Sequence, residues 1–385
     1  MPQSLRRRRV PALGDPMAEP VAEHPDYLSR QLITCLGNKR ALLPQIAAAV
    51  GRVRQRLGGR RLRCLDAFSG SGVVSRMLKA HAERLVANDL EDYAAVAARC
   101  FLTNRRDVDG PALAACVADL TDRAEREAWP PGFIEEMYAP RDESRITCRD
   151  RVFYTRENAR RIDVYRRLIE AAPTAWRDLL LGPLLSAASI HANTAGVFKG
   201  FYKDRRTGVG RFGGTGADAL ARIRGPIELA TPVLSAFDCE STVLQGDANE
   251  IVRSVRGLDV AYLDPPYNQH PYGSNYFMLN LVATYRRPDQ VSPVSGIPAD
   301  WRRSGYNVRA RAAALLVDLV RHVDASHLLV SFNDEGFVPP AEMRGLLARE
   351  GTVTTVEVPY AAFRGSRNLR GRPLQVTEHL FLVER

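Results

Sequence analysis

Cysteine is sparse and scattered in this chain of 385 residues. Cys35, Cys64, Cys100, Cys116, Cys148 and Cys239 show no C-x-x-C spacing, which speaks against a zinc site or a disulfide framework and leaves buried reduced thiols. Long apolar runs are missing too. No stretch reaches membrane-spanning length, and the basic N-terminus lacks the apolar core of a signal peptide. A cytoplasmic protein with no membrane segment is expected. Internal repeats are absent. Lysine is rare, with four residues among 54 basic side chains, so the positive charge is almost all arginine. Acidic residues number only 44, which leaves a net charge of +10 and a pI near 9.5. A basic globular protein often meets a polyanion, although an arginine-rich composition alone gives the same charge. Hydrophobic residues make up 45% of the chain, enough for a sizeable core, and the length fits one large domain with an insertion, or two domains.

What is present centres on Val260 to Tyr276. Val260-Ala261-Tyr262-Leu263 reads as a buried strand. Asp264-Pro265-Pro266-Tyr267 ends it, because two prolines cannot donate to a ladder and stiffen the turn. A carboxylate, the Pro265 carbonyl and an aromatic ring then stand at the carboxyl end of a strand, where ligands sit in open α/β sheets. Such a set suits an exocyclic amine. The lone pair of that nitrogen is delocalised into its ring. Two acceptors taking its N–H bonds favour tetrahedral geometry, and a stacked ring holds the base in line with an electrophile. The alternative is a Pro-Pro turn carrying a surface Asp.

Upstream, Arg63 to Asp66 reads as a strand entering a glycine turn, Phe68-Ser69-Gly70-Ser71-Gly72. A helix is predicted after it, with Val73, Val74, Met77, Leu78, His81 and Leu85 on one face. Strand, Gly-x-Gly turn and helix form a loop that lets a nucleoside cofactor approach the backbone. A second strand, Arg84 to Ala87, ends in Asn88-Asp89, and an acid about twenty residues past such a loop suits ribose hydroxyls. Earlier still, Gly37-Asn38-Lys39 before a helix from Leu42 to Leu57 offers N–H groups and a cation to a carboxylate.

Residues 1–25 read as a disordered basic arm. From 105 to 240 the strand–helix alternation breaks, with helices near 157–171 and 174–191. The stretch from His191 to Gly216 mixes Lys199, Lys203, Arg205, Arg206 and Arg211 with Phe198, Phe201, Tyr202 and Phe212, a pattern suited to phosphate contact with base-edge or stacking contact. Thr242 to Gln245 predicts a strand ending near Asp247, Arg309 to Val323 a helix, and His327 to Phe332 a strand. Val353 to Val358 and Val376 to Val383 predict an antiparallel pair at the sheet edge, flanking Arg364, Arg367 and Arg370, further candidates for nucleic-acid contact.

Asp66-Ala-Phe-Ser-Gly-Ser-Gly72, followed far downstream by Asp264-Pro-Pro-Tyr267, resembles the D12-class, alpha-group adenine-N6 DNA methyltransferases, to which the Dam methylases and restriction–modification enzymes belong. The resemblance runs from about residue 30 to the C-terminus and includes Tyr272-Gly273-Ser274-Asn275-Tyr276. It implies an α/β, class I S-adenosylmethionine-dependent, Rossmann-like fold with a mostly parallel seven-stranded sheet and one antiparallel edge strand. Residues 26–104 and 241–385 are then the catalytic domain, and 105–240 an inserted target-recognition region. It also implies that Gly37 and Lys39 meet the methionine carboxylate, and that Asp66, Phe68, Gly70 and Gly72 form the methionine pocket. Asp89 holds the ribose, Asp247 the cofactor adenine amine, and Asp264, Pro265, Pro266 and Tyr267 the flipped base. No metal is expected. The implied partner is double-stranded DNA, and a cognate restriction endonuclease accompanies many such enzymes. A cytosine-N4 methyltransferase and a catalytically silent DNA-binding protein of the same fold remain the alternatives.

Overall fold

A computed structural model describes residues 22–35, 37–214, 216–361 and 375–385. Seven strands, β1 (Leu62–Asp66), β2 (Ala82–Asp89), β3 (Glu240–Gln245), β4 (Leu258–Leu263), β5 (Ala325–Asn333), β6 (Thr352–Ala361) and β7 (Gln375–Glu384), form one sheet in the order β3-β2-β1-β4-β5-β7-β6. Pairing is parallel from β3 through to β5, and β7 is antiparallel to both β5 and β6. The sheet and its connections are those of a class I methyltransferase.

The closing antiparallel pair is present, but its antiparallel member lies one place inside the edge. Burial explains this. Leu380 to Val383 of β7 are buried and need cover on both sides, whereas β6 alternates exposed Thr352, Thr354 and Glu357 with half-buried valines and suits an edge.

Helices α1 (Leu43–Arg56) and α2 (Val73–Lys79) pack with Leu62, Cys64, Leu85, Val260 and Tyr262 on one face of the sheet. Helix α2 is shorter than its apolar period predicts. His81 N–H closes a turn on Leu78 O, and β2 begins at Ala82, where ladder pairing of Leu85 with Cys64 overrides the helical spacing. The alternate strand residues Leu65, Val86, Ala261, Leu263 and Val330 face a second cluster.

Helix α3 (Asp92–Phe101) joins the sheet to a third cluster. Its Ala98 packs towards β1, while Tyr93, Ala97 and Phe101 face α4 (Gly110–Arg126), α5 (Phe133–Tyr138), α6 (Arg156–Ala171) and α7 (Thr174–Ile190). The helices of residues 105–240 therefore share one core with the sheet's own helix. Arg76, buried against the Phe101 ring at 3.6 Å, donates to the carbonyls of Tyr27, Arg30 and Gln31 and fixes the approach to Gly37. Of the predicted basic arm, residues 1–21 lie outside the described residues. Glu23, at its end, accepts from Ser235 Oγ at 2.6 Å and Ala236 N at 2.8 Å.

Candidate active site

The strand order reverses between β1 and β4, and a crevice opens at their carboxyl ends. Three strand ends are stitched together there. Gly70 N–H donates to Asp89 Oδ2 at 2.7 Å, and Ser69 N–H to the Asn88 carbonyl at 2.8 Å. Asn88 Nδ2 donates to the carbonyls of Ala67 and Gly246. The glycine turn is closed by Gly72 N–H on Ser69 O at 2.7 Å, and Gly72, with φ of 76°, starts α2 from a left-handed conformation that suits glycine.

On the other side of the crevice, β4 delivers Asp264, whose side chain keeps 16% of its surface exposed. Lys39 Nζ lies 3.2 Å from Asp264 Oδ1 and 2.7 Å from Glu378 Oε1, with Lys39 and Glu378 both buried. Burial works against the lysine charge, but Asp264 and Glu378 outweigh it and hold Lys39 well above its ordinary range. Burial pushes Asp264 up to about 7, against the downward pull of Lys39. Pro265 is buried. Tyr267 packs edge-on against Phe332 at 5.6 Å, and its carbonyl accepts from Phe337 N at 2.8 Å. Gly37 has φ of 71°, and a Cβ there would stand 3.2 Å from Tyr272 Oη and 3.4 Å from Tyr267 Oη, so backbone and space both call for glycine.

One cavity of about 940 Å³, counted out to its mouth, joins these groups. Among its lining residues are Gly37, Lys39, Asp66, Phe68, Gly70, Asp89, Asp247, Asp264 and Pro266 of the predicted site. Gly72, Pro265 and Tyr267 are not among them, but each is the chain neighbour of a lining residue, Ser71, Asp264 or Pro266. Nine of the twelve predicted cofactor and base residues thus line one cavity. Phe68 meets Tyr306 edge-on at 5.6 Å, and Asp247 caps α8 (Ala248–Ile251) by accepting from Asn249 N at 2.9 Å. Burial raises Asp66 to about 7, although Ser75 Oγ donates to its Oδ2 at 2.5 Å.

The polar lining fits a ligand rich in donors. Asp66 Oδ1, Asn88 Oδ1 and Asn307 Oδ1 are buried with no hydrogen-bond partner among the described residues. An amine or hydroxyl in the cavity would satisfy them. Sequence reasoning missed Glu91, Tyr93, Tyr306 and Asn307 in this lining, and Glu378 behind it. Glu91 is buried, raised by that burial to about 7, and accepts from Asn280 Nδ2 at 2.6 Å. Its place two residues past Asp89 was the available signal. For Glu378 the signal was a carboxylate inside an apolar strand.

Lys199, Lys203, Arg205, Arg206 and Arg211 lie on a small hairpin outside the cavity. Lys203 bridges Gly210, and Asp204 Oδ1 holds the turn by accepting from the N–H groups of Arg206 and Thr207. Lys199, Arg205, Arg206 and Arg211 are exposed and Lys203 is half-buried over the Phe201 ring. Two of the aromatics do something other than expected. Phe198 is buried among Phe153, Tyr154 and Phe277, and Phe201 packs on Phe153 at 5.1 Å. They anchor the hairpin to the third cluster, leaving the cations as its outward face. Phe198 N–H also donates to Asn275 O at 2.7 Å, which ties the hairpin's base to α9 (Tyr272–Asn275) beside the cavity. Arg364, Arg367 and Arg370 lie outside the described residues.

A doubly wound sheet whose crevice joins a glycine turn, a strand-end acid and Asp-Pro-Pro-Tyr defines a class I methyltransferase. The family described as D12 class N6 adenine-specific DNA methyltransferase matches residues 36–291, more than half of the chain, and the chain belongs to it. It is an enzyme, and membership implies a methyl donor and a DNA substrate. The chain is 28% identical to the type II methyltransferase M.NlaIII of Neisseria lactamica over 83% of this chain and 90% of that protein. It is 26% identical to the type II methyltransferase M.CviAII of Paramecium bursaria Chlorella virus 1, over 83% and 89%. It is 25% identical to modification methylase StsI of Streptococcus sanguinis over 91% of this chain, which spans 51% of that protein. No described helix is long and apolar enough to cross a membrane.

Proposed function

We propose that this enzyme moves a methyl group from S-adenosylmethionine to the exocyclic N6 amine of an adenine swung out of double-stranded DNA. The observation that carries the reading is Asp264, at the end of β4, opening onto the same cavity as the glycine turn and Asp89. The donor would be held by Asp66, Phe68 and Gly70 around its methionine, by Asp89 at the ribose and by Asp247 at the adenine amine. Lys39 already spends two contacts on carboxylates, and the third ammonium proton is what it has left for the methionine carboxylate. When bound, S-adenosylmethionine supplies a sulfonium methyl whose bond to sulfur breaks, its electron pair staying on sulfur, as the amine nitrogen forms the new bond.

The chain's own residues prepare that nitrogen. Asp264 and the Pro265 carbonyl accept its two N–H bonds, which withdraws the lone pair from the ring and aims it outward. Tyr267, braced by Phe332, stacks on the base and keeps it in line. The surplus proton of the methylated amine leaves along the Asp264 hydrogen bond. Swinging the base out costs a few kcal/mol of unstacking, which contacts to the flipped base offset. Residues 105–240 serve as the target-recognition region, with the cationic hairpin laid on DNA phosphates. A companion restriction endonuclease is the expected genetic partner, as the relatives' names of type II methyltransferase and modification methylase suggest.

The test is the product. Unmethylated genomic DNA incubated with enzyme and S-adenosylmethionine, digested and weighed as nucleosides, should contain N6-methyladenine. N4-methylcytosine in its place would overturn the base assignment, and no methylated nucleoside at all would overturn the reading.

A further inference from the structure

Lys39 faces two carboxylates, and one suffices to neutralise it. Glu378 lies near the start of β7, which runs antiparallel, so it reaches the carboxyl ends of the parallel strands beside Asn333 of β5. It is fully buried. Its Oε1 takes both Lys39 Nζ, at 2.7 Å, and the Ser331 hydroxyl, which donates at 2.5 Å. Its Oε2 has no hydrogen-bond partner among the described residues. A buried carboxylate is expensive unless it is paired, and this one is paired with a lysine that already has Asp264. The ammonium sits nearer to Glu378 than to Asp264, whose contact is 3.2 Å.

We propose that Glu378 is a positioning residue for the transfer reaction: it shares the Lys39 ammonium with Asp264 and so leaves Asp264 an oxygen for the target amine. The proposal rests on the reading of Asp264 given above. With Glu378 absent, Lys39 would close onto Asp264 as a one-to-one ion pair. Asp264 would then be a weaker acceptor just when positive charge grows on the nitrogen. The other groups facing Asp264 are Asp66 from β1, Tyr262 from β4 and Tyr272 from the helix beyond it. Lys39 is the cation among these neighbours, so its position decides how strongly Asp264 accepts.

The measurement is the single-turnover rate of methyl transfer from S-adenosylmethionine to unmethylated genomic DNA, followed against pH. Glu378→Gln keeps the shape and removes the charge. The expected result is a plateau rate roughly tenfold lower. The acid limb should move down on the order of one pH unit as Lys39 turns to Asp264. Glu378→Asp, which keeps the charge, should recover much of the wild-type profile. Ser331→Ala should move the limb the other way, because a carboxylate deprived of a donor draws the ammonium harder. A folded Glu378→Gln with wild-type plateau and limb overturns the proposal. Should that variant not fold, an unmoved limb in Ser331→Ala does so. Asp264→Ala is run beside them. If it abolishes transfer while the limb stays fixed in the others, the role of Glu378 falls alone; if it retains transfer, the reading of Asp264 falls too.

Discussion

Gly70 donates its backbone N–H to the carboxylate of Asp89, 2.7 Å away, and Glu91 N–H donates to the other oxygen at 2.9 Å. The acid at the end of β2 thus fixes the turn after β1, and it still has acceptor capacity facing the cavity.

Asp89→Ala should therefore remove the acceptor for the ribose hydroxyls and loosen the turn together. The expected drop in S-adenosylmethionine affinity is roughly 1–3 kcal/mol, the scale of hydrogen bonds to a charged group. Isothermal calorimetry reads it, and unchanged affinity would remove Asp89 from the cofactor site.

Asp66 gives a stability prediction with a definite sign. Burial raises its folded carboxyl from an ordinary value of 3.8 to about 7, so the folded state holds the proton more tightly than the unfolded chain. That contribution is fully present below the ordinary value and is lost as pH rises through about 7. Asp66→Asn, which cannot ionise, should melt above wild type at pH 8 and converge with it towards pH 4. Melting curves across that span check it. A constant offset at every pH would mean that Asp66 is ionised throughout in the folded enzyme.

The hairpin from Lys199 to Arg211 should divide by residue type. Replacing Lys203, Arg205, Arg206 or Arg211 by alanine takes one cation off a phosphate. Each such change should flatten the salt dependence of DNA affinity by about one unit of slope. At least one replacement should also relax site preference, by about 1–3 kcal/mol for a base-edge hydrogen bond. Phe198→Ala should instead cost about 3–5 kcal/mol of folding stability, because that ring is buried. Affinity against salt on cognate and scrambled duplexes, with urea unfolding for Phe198, separates the two. If all four cation variants bind and discriminate as wild type does, recognition lies elsewhere.

Much of this is legible in the sequence, for a physical reason. Asp264-Pro-Pro-Tyr267 and Phe68 to Gly72 are local: prolines stop a strand, glycines turn it, and the chemistry is stated within a few residues. Glu378 is another matter. Its meaning depends on Lys39, near the other end of the described chain, and on β7 folding inward, which alternation alone does not specify. Phe198 and Phe201 look available for stacking in the sequence because composition shows which residues occur together, not which way they face. The length of α2 is hidden for a similar reason, since pairing of Leu85 with Cys64 outweighs a helical period that runs on past it.

The inward seat of β7 also bears on how the enzyme comes into being. Both of its sheet neighbours are synthesised before it, so β5 waits with an open apolar edge until the β6–β7 pair arrives. Closing such distant pairings is slow, and an exposed edge invites association with other chains. A nascent polypeptide that already carries the glycine turn and Asp-Pro-Pro-Tyr still lacks the carboxylate that shares Lys39. Maturation of the catalytic centre is thereby tied to completion of the sheet, and cool, slow expression should favour its yield.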